Sequence, residues 1–152
     1  SHEQQRRVCG YIESGLAEGA KALSGGAAPA KDRGYFVQPT VLVDARPGMK
    51  VVREEIFGPV VTAIPFDGVE EVVAAANATE YGLAAGVWSR DVSKVHRMAK
   101  RLRAGTVWVN CYNVFSSNMP FGGYKQSGWG RENGQETLDL YLQTKSVVTL
   151  LH

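Results

Sequence analysis

The stretch 53–61 reads R-E-E-I-F-G-P-V-V and sets two carboxylates before an aromatic residue and a Gly-Pro turn. Adjacent side chains of an extended chain face opposite sides, so Glu54 can be solvated while Glu55 faces a cleft together with Phe57. A carboxylate can accept two hydrogen bonds from a vicinal diol such as a ribose, and an aromatic ring packs against a flat ring. Glu55 and Phe57 would therefore suit a nucleoside. The alternative is an exposed turn with two solvated acids.

A second candidate is the long loop 111–131, C-Y-N-V-F-S-S-N-M-P-F-G-G-Y-K-Q-S-G-W-G-R, which is rich in aromatic residues and glycines. It follows the apolar run T-V-W-V-N at 106–110, which predicts a buried strand. Sites in parallel sheets form in the loops after the carboxyl ends of strands. The loop could be a wall of an apolar substrate channel, or it could simply pack on its own sheet.

Nucleophiles and metal ligands are poorly supported by the sequence. Cys9 lies beside the apolar stripe of a predicted helix, and Cys111 ends a predicted strand with no histidine near it in sequence. Core packing is the favoured interpretation for both, because free cysteine usually behaves as a small apolar residue. The three histidines, His2, His96 and His152, have no metal-ligand spacing with a cysteine or a carboxylate, so no metal site is expected.

Charge and composition exclude further classes of function. The net charge is +2 over 152 residues, which does not argue for nucleic acid or an anionic membrane as a partner. The basic run 94–103 could bind phosphate, but it is more typical of the solvated face of an amphipathic helix. There is no P-loop and no G-x-G-x-x-G fingerprint. With no membrane-length apolar run, no signal-peptide pattern and two distant cysteines, we expect a cytoplasmic protein.

The elements that must position these residues follow from periodicity and caps. Ser1 with Gln4, and Asp67 with Glu70, have the spacing of helix capping boxes. Strands that alternate with helices indicate an α/β fold with a mostly parallel sheet flanked by helices. Helices are predicted at 2–20, 69–78, from 91 or 93 to 103, and at 132–140; strands are predicted at 35–43, 60–66, 86–89, 106–110 and 145–151, with a loop at 27–34.

Four sequence motifs occur along the chain in this order: E-E-I-F-G-P-V, Y-G-L-A-A-G-V, A-G-T-V-W-V-N and P-F-G-G-Y-K-Q-S-G-W-G-R-E. Together they resemble the C-terminal part of the NAD(P)-dependent aldehyde dehydrogenase superfamily. The resemblance implies that residues 1–144 are a partial catalytic domain. It implies that residues 145–152 are a C-terminal oligomerisation strand that joins a neighbouring subunit's sheet in a homo-oligomer. An apolar terminal strand with an unpaired edge is expected to seek such a partner.

The resemblance also implies roles for single residues. Glu55 would hydrogen-bond the nicotinamide ribose, and Phe57 would pack beside the nicotinamide. Asn113, Phe115 and Phe121 would line the entrance for the aldehyde, although many relatives carry Asp where this chain has Asn113. The cofactor would be NAD or NADP, with NAD favoured, and the reaction would convert an aldehyde to a carboxylic acid.

The same resemblance implies that parts of the machinery are missing. The family's nucleophilic cysteine, its general-base glutamate, its oxyanion-hole asparagine and its dinucleotide-binding domain all precede the matching segment. We therefore expect a truncated chain that has no catalytic residue of its own, binds no cofactor alone and is inactive by itself. The competing hypothesis is a non-catalytic folded module that self-associates through its last strand.

Overall fold

The computed structural model describes residues 1–26 and 33–151. The chain divides into two compact units, Ser1–Asp67 and Gly68–His152, and each is described by itself. Within the described residues the strands form three small sheets, not the one mostly parallel sheet that the alternation predicted. Most of the predicted loop at 27–34 lies outside the described residues.

The first unit is built on one long helix. Helix α1, His2–Ala17, begins as predicted, because the Ser1 side chain accepts a hydrogen bond from the Gln4 N–H at 3.2 Å. Its buried face packs against the short helix α2, Lys50–Arg53. A Cβ at Gly15 would lie 2.9 Å from a Val51 methyl, so a small residue is needed where the two helices approach.

A three-stranded sheet completes this unit. Strand β2, Thr40–Val43, lies in the centre, antiparallel to β1, Lys21–Ser24, and parallel to β3, Val60–Thr62. Leu42, in the central strand, is fully buried. The predicted strand 35–43 begins only at Thr40, after Pro39, which has no N–H for a ladder.

The second unit has three helices and two small sheets. Strands β5, Ala84–Val87, and β6, Thr106–Val109, pair in parallel. Strands β4, Tyr81–Gly82, and β7, Tyr124–Lys125, pair antiparallel. Strand β5 and one helix enclose a small core of Val87, Val95 and Leu102. The helices are α3, Val69–Asn77, α4, Val92–Arg101, and α5, Gly134–Tyr141.

The ends of α3 and α4 agree only in part with the prediction. Of the two predicted start residues of α4, 91 and 93, the structure has Asp91 as the N-cap, and its carboxylate accepts from the Lys94 N–H at 2.9 Å. Helix α3 has Gly68 at its N-cap position, not Asp67. Helix α4 ends at Arg101, and its C-cap residue Leu102 already has an extended backbone, so Gly105 is not the residue that terminates it.

The strand predicted at 145–151 is not formed in the single chain, where residues 142–151 have no regular structure. Val148 is 94% exposed. A strand is stabilised by a hydrogen-bonded neighbour, and this segment has none in the described part of the chain. No helix among the described residues is long and apolar enough to cross a membrane.

Candidate functional site

In the first unit, one face of α1 holds the turn that carries Glu55 and Phe57. The Gln4 amide donates to the Phe57 carbonyl at 2.7 Å, and the Arg7 guanidinium donates to the Glu55 carbonyl at 2.9 Å. The Tyr11 hydroxyl donates to the Glu54 carboxylate at 2.7 Å. Positions four and three residues apart share one face of a helix. We call this face, residues Gln4, Arg7, Val8 and Tyr11, the α1 cradle.

Val8, the apolar aliphatic member of the α1 cradle, sets how closely the turn approaches the helix. A Cβ at Gly58 would lie 2.5 Å from a Val8 methyl, so only glycine fits there without movement. The preceding residue, Phe57, has a φ of 52°, a left-handed conformation that side chains rarely adopt. Such strain persists only where the surroundings hold it, and here the Gln4 hydrogen bond and the Gly58 contact do so.

The two glutamates differ in what they contact. Glu54 is bound by Tyr11, and this hydrogen bond, with a smaller effect of burial, raises the pKa of the tyrosine. The Lys50 ammonium lies 4.9 Å from the centre of the same ring. For the Glu55 side chain, the described residues supply no hydrogen bond and no ion pair, so its carboxylate is exposed and available for a ligand.

Beside the turn lies a cavity of about 320 Å³. Glu54 lines this cavity, and Glu55 is not part of its lining. Phe57 also lines this cavity, and its side chain is 74% exposed. Glu55 and Phe57 are therefore both presented at the surface, but only Phe57 borders the cavity.

In the second unit, aromatic rings pack edge to face along the end of β6. The Trp108 and Phe115 ring centroids are 5.5 Å apart at 90°, and those of Phe115 and Phe121 are 4.9 Å apart at 86°. The Trp108 indole N–H donates to the Val114 carbonyl at 2.8 Å. Edge-to-face packing of this kind is the favoured geometry for aromatic pairs. We call Trp108, Phe115 and Phe121 the aromatic wall.

The aromatic wall borders a cavity of about 270 Å³. Its remaining lining is mostly apolar, with Met119 and Pro120 from the loop. The Thr106 hydroxyl is buried with no hydrogen-bond partner among the described residues. The volume and the apolar lining are suited to a small organic ligand.

The three residues predicted to line an aldehyde entrance are only partly brought together. Phe115 and Phe121 are in contact and both line the cavity, whereas Asn113 is exposed and is not part of its lining. Asn113 has a φ of 61°, which asparagine tolerates better than most residues. Its position is thus consistent with a turn residue at the edge of the loop.

Neither cysteine has the surroundings of an activated nucleophile in the described structure. Cys9 and Cys111 are both free and half-buried. Cys111 lines the cavity beside the aromatic wall, but no histidine lines that cavity. Across residues 1–26 and 33–151, no group of three or more His, Cys, Asp or Glu side chains could hold a metal ion.

The α1 cradle was not predicted from the sequence. The signal for the cradle was the spacing of Gln4, Arg7, Val8 and Tyr11, which places polar and apolar groups on one helical face. What those groups contact, however, lies more than 40 residues away in sequence. Only the tertiary structure shows those contacts.

Comparison with known proteins gives consistent matches. The model of the aldehyde dehydrogenase family matches residues 1–147. A putative aldehyde dehydrogenase, DhaS, from Bacillus subtilis (strain 168) is 57% identical over 147 residues, which are 97% of this chain and 30% of that protein. Human mitochondrial aldehyde dehydrogenase is 52% identical over 144 residues, or 95% of this chain and 28% of that protein.

Solved structures agree with these matches. The NAD+ complex of an aldehyde dehydrogenase from Bacillus cereus superimposes with a TM-score of 0.93 at 54% identity, over 97% of this chain and 30% of that chain. An aldehyde dehydrogenase of Mycobacterium tuberculosis in complex with NAD+ gives a TM-score of 0.92 at 46% identity, over 99% of this chain and 31% of that chain. The chain thus spans about 30% of the length of these relatives.

One expectation has to be corrected. The four motifs led us to expect the C-terminal portion of such an enzyme, ending in an oligomerisation strand. The matches cover residues 1–147 here and about 30% of each relative; they establish the family and the share of length, and they do not support the C-terminal assignment, which is withdrawn. The predicted end strand is also absent from the single chain.

Proposed function

Because the chain belongs to the aldehyde dehydrogenase family, we propose that it is part of an NAD-dependent enzyme that oxidises an aldehyde to a carboxylic acid. The observation that carries the proposal is the α1 cradle, which presents Glu55 and Phe57 at the surface on a turn that three hydrogen bonds hold. Relatives solved as NAD+ complexes support NAD as the cofactor.

The residues of the turn fit a nucleoside. The exposed Glu55 carboxylate can accept hydrogen bonds from both hydroxyls of the nicotinamide ribose, and the exposed Phe57 ring can pack against the flat nicotinamide. When bound, NAD+ would accept a hydride from the substrate. The task of Glu55 is then orientation, and correct orientation can supply a large share of the roughly 7–11 kcal/mol available from positioning.

The aromatic wall fits the second reactant. Phe115 and Phe121 would line the channel through which the aldehyde enters, with Asn113 at its rim. An apolar lining suits the carbon chain or ring of an aldehyde, and it favours the free aldehyde over the hydrated aldehyde, which is more polar. Neither Cys9 nor Cys111 is assigned a chemical role. The nucleophile and general base of the reaction would be supplied by parts of the enzyme outside this chain.

A second hypothesis concerns the chain by itself. In the described part of the chain, residues 145–151 are exposed and pair with no strand. Four of the seven are apolar, and of these Val148 is 94% and Leu151 88% exposed. Such a segment can add as a strand to a sheet of a second copy. On this hypothesis the isolated chain is an inactive, self-associating module, whether or not the full-length enzyme is active.

The first test compares NAD+-dependent oxidation of a small aldehyde panel by the 152-residue chain and by the full-length enzyme. We expect turnover from the full-length enzyme and none from the chain. Turnover by the pure chain would mean that Cys9 or Cys111 is catalytic. Absence of turnover from a folded full-length enzyme across the panel would argue against the proposed reaction.

The second test is Glu55→Gln in the full-length enzyme, with Glu13→Gln, a change at an exposed glutamate of α1 outside the α1 cradle, as the matched control. We expect Glu55→Gln to slow the hydride-transfer step at least about tenfold, or about 1.4 kcal/mol in the barrier, with an unchanged melting temperature. Glu13→Gln should leave hydride transfer within a few-fold. Equal rates for Glu55→Gln and the wild type would contradict the assignment of Glu55.

A further inference from the structure

Three glycines of the second unit bring three backbone segments into direct contact. A Cβ at Gly105, just before β6, would overlap the Gly122 carbonyl oxygen. A Cβ at Gly122 would lie 2.5 Å from the Gly130 carbonyl oxygen. No side chain fits at either position without movement of the backbone. We call Gly105, Gly122 and Gly130 the glycine stack.

Arg131 closes the loop that contains Gly122 and Gly130 of the glycine stack. One guanidinium nitrogen, Nη1, donates to the Gly123 carbonyl at 3.0 Å and to the Gly130 carbonyl at 2.6 Å. The guanidinium also lies over the Tyr124 ring, 5.4 Å from its centre. The planar guanidinium can donate to carbonyls and stack on an aromatic ring at the same time, which the ammonium of a lysine does less well.

Phe121 lies where these contacts converge. Its backbone forms a two-way bridge with Glu132, with both N–H···O distances at 2.7 Å. Gly122 follows it directly in the glycine stack, and Glu132 directly follows Arg131. The backbone of Phe121 is thus fixed from both sides. Its ring is the outer member of the aromatic wall, in contact with Phe115.

We propose that Arg131 is a positioning residue for Phe121, and that by tying Gly123 to Gly130 it sets how far the Phe121 ring extends over the cavity beside the aromatic wall. The expected consequence of this positioning is selection of the aldehyde by the size of its side group, and only this consequence rests on the proposed function. The positioning itself is a statement about this chain and does not depend on the reaction.

The positioning is tested directly in the 152-residue chain, which contains five phenylalanines. With 13C-labelled phenylalanine, NMR measures the cross-relaxation between the Phe115 and Phe121 rings in the wild type, Arg131→Met, Arg131→Lys and Arg97→Met. Arg97 is an exposed arginine of α4 and serves as the matched control. The cross-relaxation between Trp108 and Phe115 is the internal reference.

We expect Arg131→Met to lose at least half of the Phe115–Phe121 signal relative to the reference, Arg131→Lys to keep an intermediate signal, and Arg97→Met to match the wild type. A full signal in folded Arg131→Met would overturn the proposal. If Arg131→Met does not fold, Arg131→Lys and Tyr124→Leu, which weaken the same contacts less, take its place, and an unchanged signal in both would overturn the proposal equally.

The consequence for selectivity is tested in the full-length enzyme. We expect Arg131→Met to change the ratio of kcat/KM for benzaldehyde over acetaldehyde at least tenfold, mainly through KM, in the direction that Phe121→Leu changes it. The double variant should change the ratio no further than Phe121→Leu alone. Additive changes would overturn the inference. If the proposed function is wrong, by contrast, even the wild-type enzyme will oxidise neither aldehyde, while the loss of the Phe115–Phe121 NMR signal in Arg131→Met will still be observed.

Discussion

At the scale of single residues, the turn 53–61 shows how a strained conformation is held. Phe57 has a φ of 52°, which costs of order 1 kcal/mol for a residue with a side chain. The hydrogen bond from Gln4 and the contact between Gly58 and Val8 offset this cost. The order of residues E-E-I-F-G-P thus has a physical reason: one acid anchors the turn, one is exposed, and the glycine allows the helix to come close.

Gly58→Ala tests this close approach. The added methyl would lie 2.5 Å from a Val8 methyl, so we expect a loss of about 1–3 kcal/mol in the free energy of unfolding, measured by urea denaturation. Val8→Ala should relieve the overlap, so that the double variant is more stable than the sum of the single effects by at least about 0.5 kcal/mol. Strictly additive effects would show that Gly58 is not held against Val8.

At the scale of elements, α3 and α4 are joined by a bidentate ion pair. The Arg101 guanidinium donates to both carboxylate oxygens of Glu70, each at 2.5 Å. This hydrogen bonding lowers the pKa of Glu70. The Asn77 side chain adds two further links, donating to the Arg101 carbonyl and accepting from the Arg103 N–H, both at 2.8 Å. The end of α4 is therefore tied to α3 by side chains.

The ion pair makes stability depend on pH in a defined direction. The pKa of Glu70 is lowered in the folded state, so its ion pair contributes to folding stability, and this contribution is fully present above the ordinary pKa of 4.5. The contribution is lost as the pH falls through the lower pKa of the folded state. We expect the melting temperature of the wild type to fall more steeply below about pH 4.5 than that of Glu70→Gln. Asp139→Asn, a change on exposed α5, should follow the wild type. Parallel curves for the wild type and Glu70→Gln would contradict the assignment.

At the scale of the whole molecule, several large apolar side chains are exposed. Phe57, Trp129, Val148 and Leu151 are all more than 70% exposed. A contiguous exposed apolar patch can be a surface that another protein or another part of a longer chain covers. This agrees with a chain that spans about 30% of the length of its relatives.

Self-association through residues 145–151 is tested by the mass of the particle in solution. We expect the wild-type chain to form a defined oligomer, and deletion of 146–152 to reduce the particle to a single chain. Val148→Lys in the full chain should do the same, because a charged residue on an exposed strand edge opposes pairing. An unchanged number of chains per particle in both variants, by light scattering, would show that this segment does not mediate assembly.

Much of the local structure could be predicted from the sequence. The Ser1 cap forms as its spacing to Gln4 indicated, and Asp91, one of the two predicted start residues, caps α4, since a cap depends on residues three apart. Phe115 and Phe121 lie in contact, and their role at an aldehyde entrance stays a prediction. The family followed from the order of four motifs, and the match over residues 1–147 confirms it.

What the sequence determined by itself, then, was the cap at the start of α1, which segments are apolar and to which family the chain belongs. The tertiary structure decided that strands form three small sheets, that Glu54 and not Glu55 borders the cavity, and that Gly105 serves a backbone contact instead of a helix end. The physical reason is distance along the chain. Caps and periodicity act over a few residues, whereas the contact of Gln4 with Phe57 spans 53 residues and exists only after the chain has folded.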